Sequence, residues 1–142
     1  MLLQKTKDNL VFILSRLSAE FDPKFIDQLI TQLELEEKTK VLTVTTATTI
    51  TPDIDHYEMT TVSALGSAVT IGNPIGTPSN GDAYVVRIED DGTSRAITFG
   101  SDYQAVGVTL PTATTISKLL YISFVYNASD SKWDVIAVNE EA

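Results

Sequence analysis

A chain of 142 residues, 43% hydrophobic with mean hydropathy +0.06, has room for one folded domain plus an appendage and is too apolar for a disordered segment. The formal charge of −9 argues against nucleic acid, because phosphate binding needs clustered Lys and Arg. With no cysteine there is no disulfide framework, no thiolate zinc site and no thiol nucleophile.

The N-terminal 40 residues are close to neutral, with six bases and seven acids. Leu10, Ile13, Leu14, Leu17 and Phe21 recur at three- and four-residue spacing, which predicts a first helix. Asp22-Pro23 then supplies an N-cap and a proline for the first helical position, so a second helix restarts there with Ile26, Leu29, Ile30 and Leu33 along its face. Leu10-Val-Phe-Ile-Leu14 is the only long apolar run, and five residues are too few for a signal-peptide core or a membrane span. No membrane is expected as a partner.

Residues 41–55 read as a Thr- and Val-rich extended connector or a first strand, because β-branched side chains favour extended backbone. Pro52 ends it. From residue 56 to 142 short strands alternate with Gly and Pro punctuation, near 56–62, 67–71, 83–89, 94–99, 103–108, 119–127 and 132–138. The expected fold is mainly β: an antiparallel, jelly-roll-like β-sandwich behind an N-terminal helical segment. Two hairpins anchor that reading. One runs Tyr84–Glu89, turns at Asp90-Asp91-Gly92 and returns as Arg95–Phe99; the other runs Leu119–Tyr126, turns through Asn127–Ser131 and returns as Trp133–Val138. In the second, Leu119, Tyr121 and Val125 lie on one face and Leu120, Ile122, Phe124 and Tyr126 on the other. A strand with one wet face alternates apolar and polar, so this one predicts cover on both sides, by a second subunit or by the helices; the alternative is a fully buried central strand within a single chain.

Reactive chemistry finds little support. His56, the only histidine, sits among Asp53, Asp55 and Glu58, an oxygen-rich set whose spacing fits no known metal loop; Asp-rich turns beside proline serve ordinarily as solvated loops. Asp90-Asp91-Gly92 reads as turn chemistry rather than a cation site. No serine occupies a nucleophile elbow, and Gly72-Asn-Pro-Ile-Gly76 lacks the lysine and following helix of a phosphate loop. The expectation is therefore no catalytic residue, no metal and no cofactor.

The residues from Tyr57 onward resemble a β-sandwich module of bacteriophage virion structural proteins. The matching pieces are Tyr57-x-Met-Thr-x-x-Ser63-Ala-Leu65, Asn73-Pro-Ile-Gly-Thr-Pro78-x-x-Gly81, Val86-Arg-Ile-x-Asp-Asp-Gly-Thr93-x-Arg-Ala-Ile97, Ala105-Val-Gly-Val-Thr-Leu-Pro111, Leu120-Tyr-Ile122 and Tyr126-Asn-Ala-x-Asp-Ser-Lys-Trp-Asp-Val-Ile-Ala-Val138, which span roughly residues 56–142. Proteins of this kind are capsid decoration or cement proteins, head fibres and parts of tail fibres, commonly trimers. The resemblance implies a homotrimeric accessory protein made in the host cytoplasm and carried on the virion, partnered by a major capsid protein or another virion protein, and it transfers no catalytic residue. The helices at 1–40 lie outside it and are expected to dock or trimerise through Leu10, Leu14, Leu17, Ile26, Ile30 and Leu33. Leu119, Tyr121 and Trp133 are the expected interface of the sandwich. The alternative is a fibre tip that binds receptor glycans through Tyr103, Trp133 or the 72–81 loop.

Overall fold

The computed structural model describes residues 4–17, 22–35 and 39–142. The chain forms two compact units, Met1–Glu37 and Lys38–Ala142. In the first, helices α1 (Gln4–Leu17) and α2 (Pro23–Leu35) contact one another. The start of α2 follows its sequence: the Asp22 carboxylate accepts the Lys24 backbone N–H at 3.0 Å, and Pro23 takes the first helical position where no N–H is needed. Ile26 is buried, and Leu10, Val11, Leu14, Leu29 and Ile30 are half-buried. Ile13 departs from its expected face and is 53% exposed, because a single neighbouring helix covers only a narrow stripe. The structure of Phe21 and the side chains of Leu17 and Leu33 lie outside the described residues. No helix among the described residues is long and apolar enough to cross a membrane.

The second unit is built of strands: β1 (Thr39–Val44), β2 (Thr49–Ile50), β3 (Tyr57–Leu65), β4 (Val69–Ile71), β5 (Ala83–Asp90), β6 (Ile97–Phe99), β7 (Tyr103–Ala105), β8 (Leu120–Asn127) and β9 (Lys132–Glu140). Thus 41–55 is no mere connector. It holds most of one strand and all of another. The protein is mainly β with a helical N-terminal segment, as expected.

The chain alternates between two sheets as it runs from β1 to β7. Odd strands enter a six-stranded sheet of order β1-β3-β5-β8-β9-β7, and even strands enter a three-stranded sheet of order β2-β4-β6. Each return lays the new strand parallel to the one before: Val41 pairs with Met59 and Met59 with Val85, while Thr49 pairs with Thr70 and Thr70 with Thr98. Residues 39–99 therefore wind as three stacked turns, and β8 and β9 close the large sheet as an antiparallel hairpin on β5.

This corrects two expectations. The large sheet is mixed rather than antiparallel, since only the β5–β8 and β8–β9 pairings run antiparallel within it. The hairpin expected over 84–99 is absent: β5 and β6 belong to different sheets. Both edges of β5 are already occupied, by β3 and β8, so the chain leaving Asp90 has no edge to fold back on and crosses to the other sheet. The hairpin over 119–138 forms as expected, with Tyr126 opposite Trp133 and Asn127 opposite Lys132.

Inward side chains of both sheets make one core, from Val62, Val86, Ile88, Leu120 and Ile122 on the large sheet and Ile50, Val69, Ile71 and Ile97 on the small one. Aromatic rings bind it across strands. Phe124 stacks on Tyr84 at 5.7 Å and meets the edges of Tyr103 at 5.2 Å and Trp133 at 5.6 Å, and Tyr103 contacts Phe99 of the small sheet at 5.6 Å. These separations are those of favourable stacked and edge-to-face pairs.

Candidate functional site

Four places in the described residues carry polar or exposed apolar groups worth weighing. The first is the loop around His56. Its Nδ1 lies 2.9 Å from the Asp53 carboxylate, with the imidazole open to solvent. Asp55 accepts the Thr77 backbone N–H at 3.0 Å, and across the same gap the Ile54 N–H donates to the Ile75 carbonyl and the Ile75 N–H to the Pro52 carbonyl. Gly76, at φ +113°, lies so close to Asp55 that a Cβ there would fall 2.8 Å from its Cγ. The Asp55 carboxylate fastens two loops together, while that of Asp53 holds the imidazole within its own loop. Among the described residues no group of three His, Asp or Glu side chains is placed to hold a metal ion.

The second is the corner after β5. Asp90 is 5% exposed, and its carboxylate accepts the Thr114 hydroxyl at 2.7 Å and the backbone N–H groups of Ser117 and Gly92 at 3.0 Å each. Burial pushes this carboxyl up, but the three donors and the nearby Arg95 charge outweigh it and hold the group below its usual range. Gly92, at φ +91°, supplies the left-handed residue that the crossing needs. Next to it, Asp91 takes a two-pronged contact from Arg95 at 2.6 and 3.2 Å, which lowers its carboxyl too. The corner is a buried carboxylate organising a long loop.

The third is the set of aromatic rings expected to stack on sugar. Trp133 is 3% exposed, between Phe124 and Tyr126, and Tyr103 is 8% exposed with its hydroxyl donating to the Gly72 carbonyl at 2.9 Å. Burial drives the Tyr103 phenol far above its ordinary range. Tyr84 is raised as well, by burial opposed by the hydroxyl of Thr60 at 2.9 Å. Both expected platforms are core residues, and so is Trp133 as an expected interface residue. Only the 72–81 loop of that set reaches the surface, with Ile75 54% exposed.

The fourth is the face of the large sheet turned away from the small one. Pairing places Thr43, Thr61, Arg87, Tyr121 and Asn139 in one row across β1, β3, β5, β8 and β9, beside a row of Val41, Met59, Val85, Ser123 and Ala137. Leu120, Ile122 and Phe124 are buried inside, whereas Tyr121, Ser123 and Val125 are half-buried outside. The Arg87 guanidinium lies 5.9 Å from the Tyr121 ring centre. Leu119, the remaining expected interface residue, is also half-buried.

Comparison with family models and with curated proteins returns no match to this chain. Two features went unnoticed in the sequence. Asp90 looked like any turn aspartate, and nothing local distinguishes a turn carboxylate that a distant loop will cover. Arg87 carried a readable signal: it is a lone base in the middle of an apolar strand within an acid-rich segment.

Proposed function

We propose that this protein is a virion accessory structural protein, a homotrimer that decorates or cements a phage capsid and works through contact surfaces rather than chemistry. The two facing sheets serve in this reading as a sandwich-like body, and the helical unit serves as the docking or trimerising arm. What supports it is the ordered run of matching segments between Tyr57 and Val138, together with one structural observation. In the helical unit Phe12, Ile13 and Phe25 are 59%, 53% and 51% exposed. A unit of this size lies below the roughly 40 residues at which a core becomes self-sufficient, so burying those side chains against a partner is where its stability would come from. Burial of apolar area across subunit boundaries adds binding free energy to an assembled shell.

The test is the mass of the purified chain by sedimentation equilibrium, with and without residues 1–40, followed by addition of each form to undecorated shells. The expected result is a trimer that co-sediments with shells and raises their resistance to heat and low salt. Shells that gain no resistance from bound protein would remove the cement role.

A further inference from the structure

Residues 41–142 hold four bases, Arg87, Arg95, Lys118 and Lys132. Three are engaged within the chain: Arg95 on the Asp91 carboxylate, Lys118 Nζ on the Glu141 carbonyl at 3.2 Å, and Lys132 Nζ on the Ser101 carbonyl at 2.7 Å. Arg87 has no hydrogen-bond or ion-pair partner among the described residues, and its Nε–H is buried without an acceptor. Its direct neighbour in the sheet, Thr61, is 6% exposed and has a buried hydroxyl that likewise lacks a partner. Paired residues on adjacent strands project to the same face, so both orphaned groups sit on the outer side of the large sheet, with the Tyr121 ring alongside. A half-buried guanidinium without a carboxylate is an unusual arrangement, because desolvating the charge and stranding an N–H both cost free energy. The surroundings are those of a protein–protein contact: Met59, Arg87 and Tyr121 are of the residue types enriched at interface centres.

We propose that the outer face of the six-stranded sheet is a self-association surface in which Arg87, with Thr61 beside it, receives a carboxylate from a second copy of this chain. The inference rests on the self-associating reading above and names its chemistry. Charge complementarity selects the occupant. Twelve acids in residues 41–142 make every copy a source of carboxylates, and Arg87 is the one of the four bases with neither a hydrogen bond nor an ion pair among the described residues. The two terminal nitrogens of the guanidinium, which unlike Nε are not buried, offer a carboxylate two parallel N–H donors.

The experiment is sedimentation equilibrium of the full chain and of Arg87→Glu, with far-UV circular dichroism to confirm folding. Charge reversal is expected to weaken self-association at least tenfold. Arg87→Met, which keeps the apolar stem, should weaken it less. In Arg87→Lys, a zero-length carbodiimide should join position 87 to an Asp or Glu of another chain, identified by peptide mass mapping. If the wild-type chain associates and Arg87→Glu associates equally well, this proposal falls while the self-associating reading stands. A cross-link from position 87 confined to its own chain also overturns it. If the wild-type chain has single-chain mass at every concentration, both fall. Should Arg87→Glu fail to fold, Arg87→Met and the cross-link decide.

Discussion

Residues 39–99 and residues 120–140 build the same large sheet by opposite routes. In the first, strands that lie side by side are a full turn of chain apart, and the short strands of the other sheet intervene. In the second, neighbours in space are neighbours in sequence, joined by the turn at Asn127–Ser131. The turn chemistry at the two ends is nearly the same, Asp90-Asp91-Gly92 in one and Asn127 through Ser131 in the other. A turn signal therefore reports where a strand stops and says nothing about which edge the chain finds next. Available edges decide that.

The largest expected effect tests whether the two regions form one folding unit. Phe124 sits on the hairpin but touches Tyr84 of the stacked region and Tyr103 beyond it. Phe124→Ala should cost about 3–5 kcal/mol and leave a single urea transition. Two transitions would show that the regions melt separately. The corner and the hairpin turn come next. Asp90→Ala strands three donors and should cost about 3 kcal/mol, whereas Asn127→Ala loses an exposed bond from the Ser129 N–H and a long, half-buried one to the Asp134 carboxylate and should cost about 1–2 kcal/mol. Equal costs would break the distinction between them.

The Asp90 effect carries a pH signature. Its carboxyl is depressed in the folded state, so its stabilising contribution is present above the ordinary carboxylate value of about 4 and is lost as pH falls through the lower folded value. Thermal melts of Asp90→Ala should converge on those of the wild type in that acid range. A smaller effect concerns the packing of one turn on the next. A Cβ on Gly100 would overlap the Asn73 side chain and lie 2.9 Å from its backbone nitrogen, so Gly100→Ala should cost about 1–3 kcal/mol in urea titrations. Smallest is Tyr103→Phe, about 1 kcal/mol at neutral pH for the lost bond to the Gly72 carbonyl. Its phenol is raised in the folded state, so its contribution is full below about pH 10 and lost as pH rises beyond it. Above pH 10 the variant should therefore lose less stability than the wild type.

Strand positions were legible because strands carry their own signal. β3 to β9 each fall within or beside a segment read from alternation and from Gly and Pro breaks, and the Asp22-Pro23 restart of α2 was equally plain. Pairing was legible only where it was local. Nothing in Tyr84–Glu89 announces that both its edges will be filled by Tyr57–Leu65 and Leu120–Asn127, because that depends on how many strands arrive and in what order. The candidate surface was half legible for the same reason. Alternation separates Tyr121 from Leu120, Ile122 and Phe124 without saying which face is outward, and Trp133 is told from a surface aromatic only by Phe124 and Tyr126 on either side of it. Arg87 and Thr61, on neighbouring strands in three dimensions, are far apart in the chain and meet only through register.

The three stacked turns make the length of this body adjustable. Each turn contributes one strand to each sheet and contacts mainly the turns before and after it, as in repeat proteins. Duplicating a turn between β2 and β3 would lengthen both sheets by one strand spacing, about 4.8 Å, and leave the β8–β9 hairpin and its aromatic contacts untouched. Size along the stack can thus change by insertion of whole turns, a ruler that evolution or design can extend without redrawing the end that the hairpin closes.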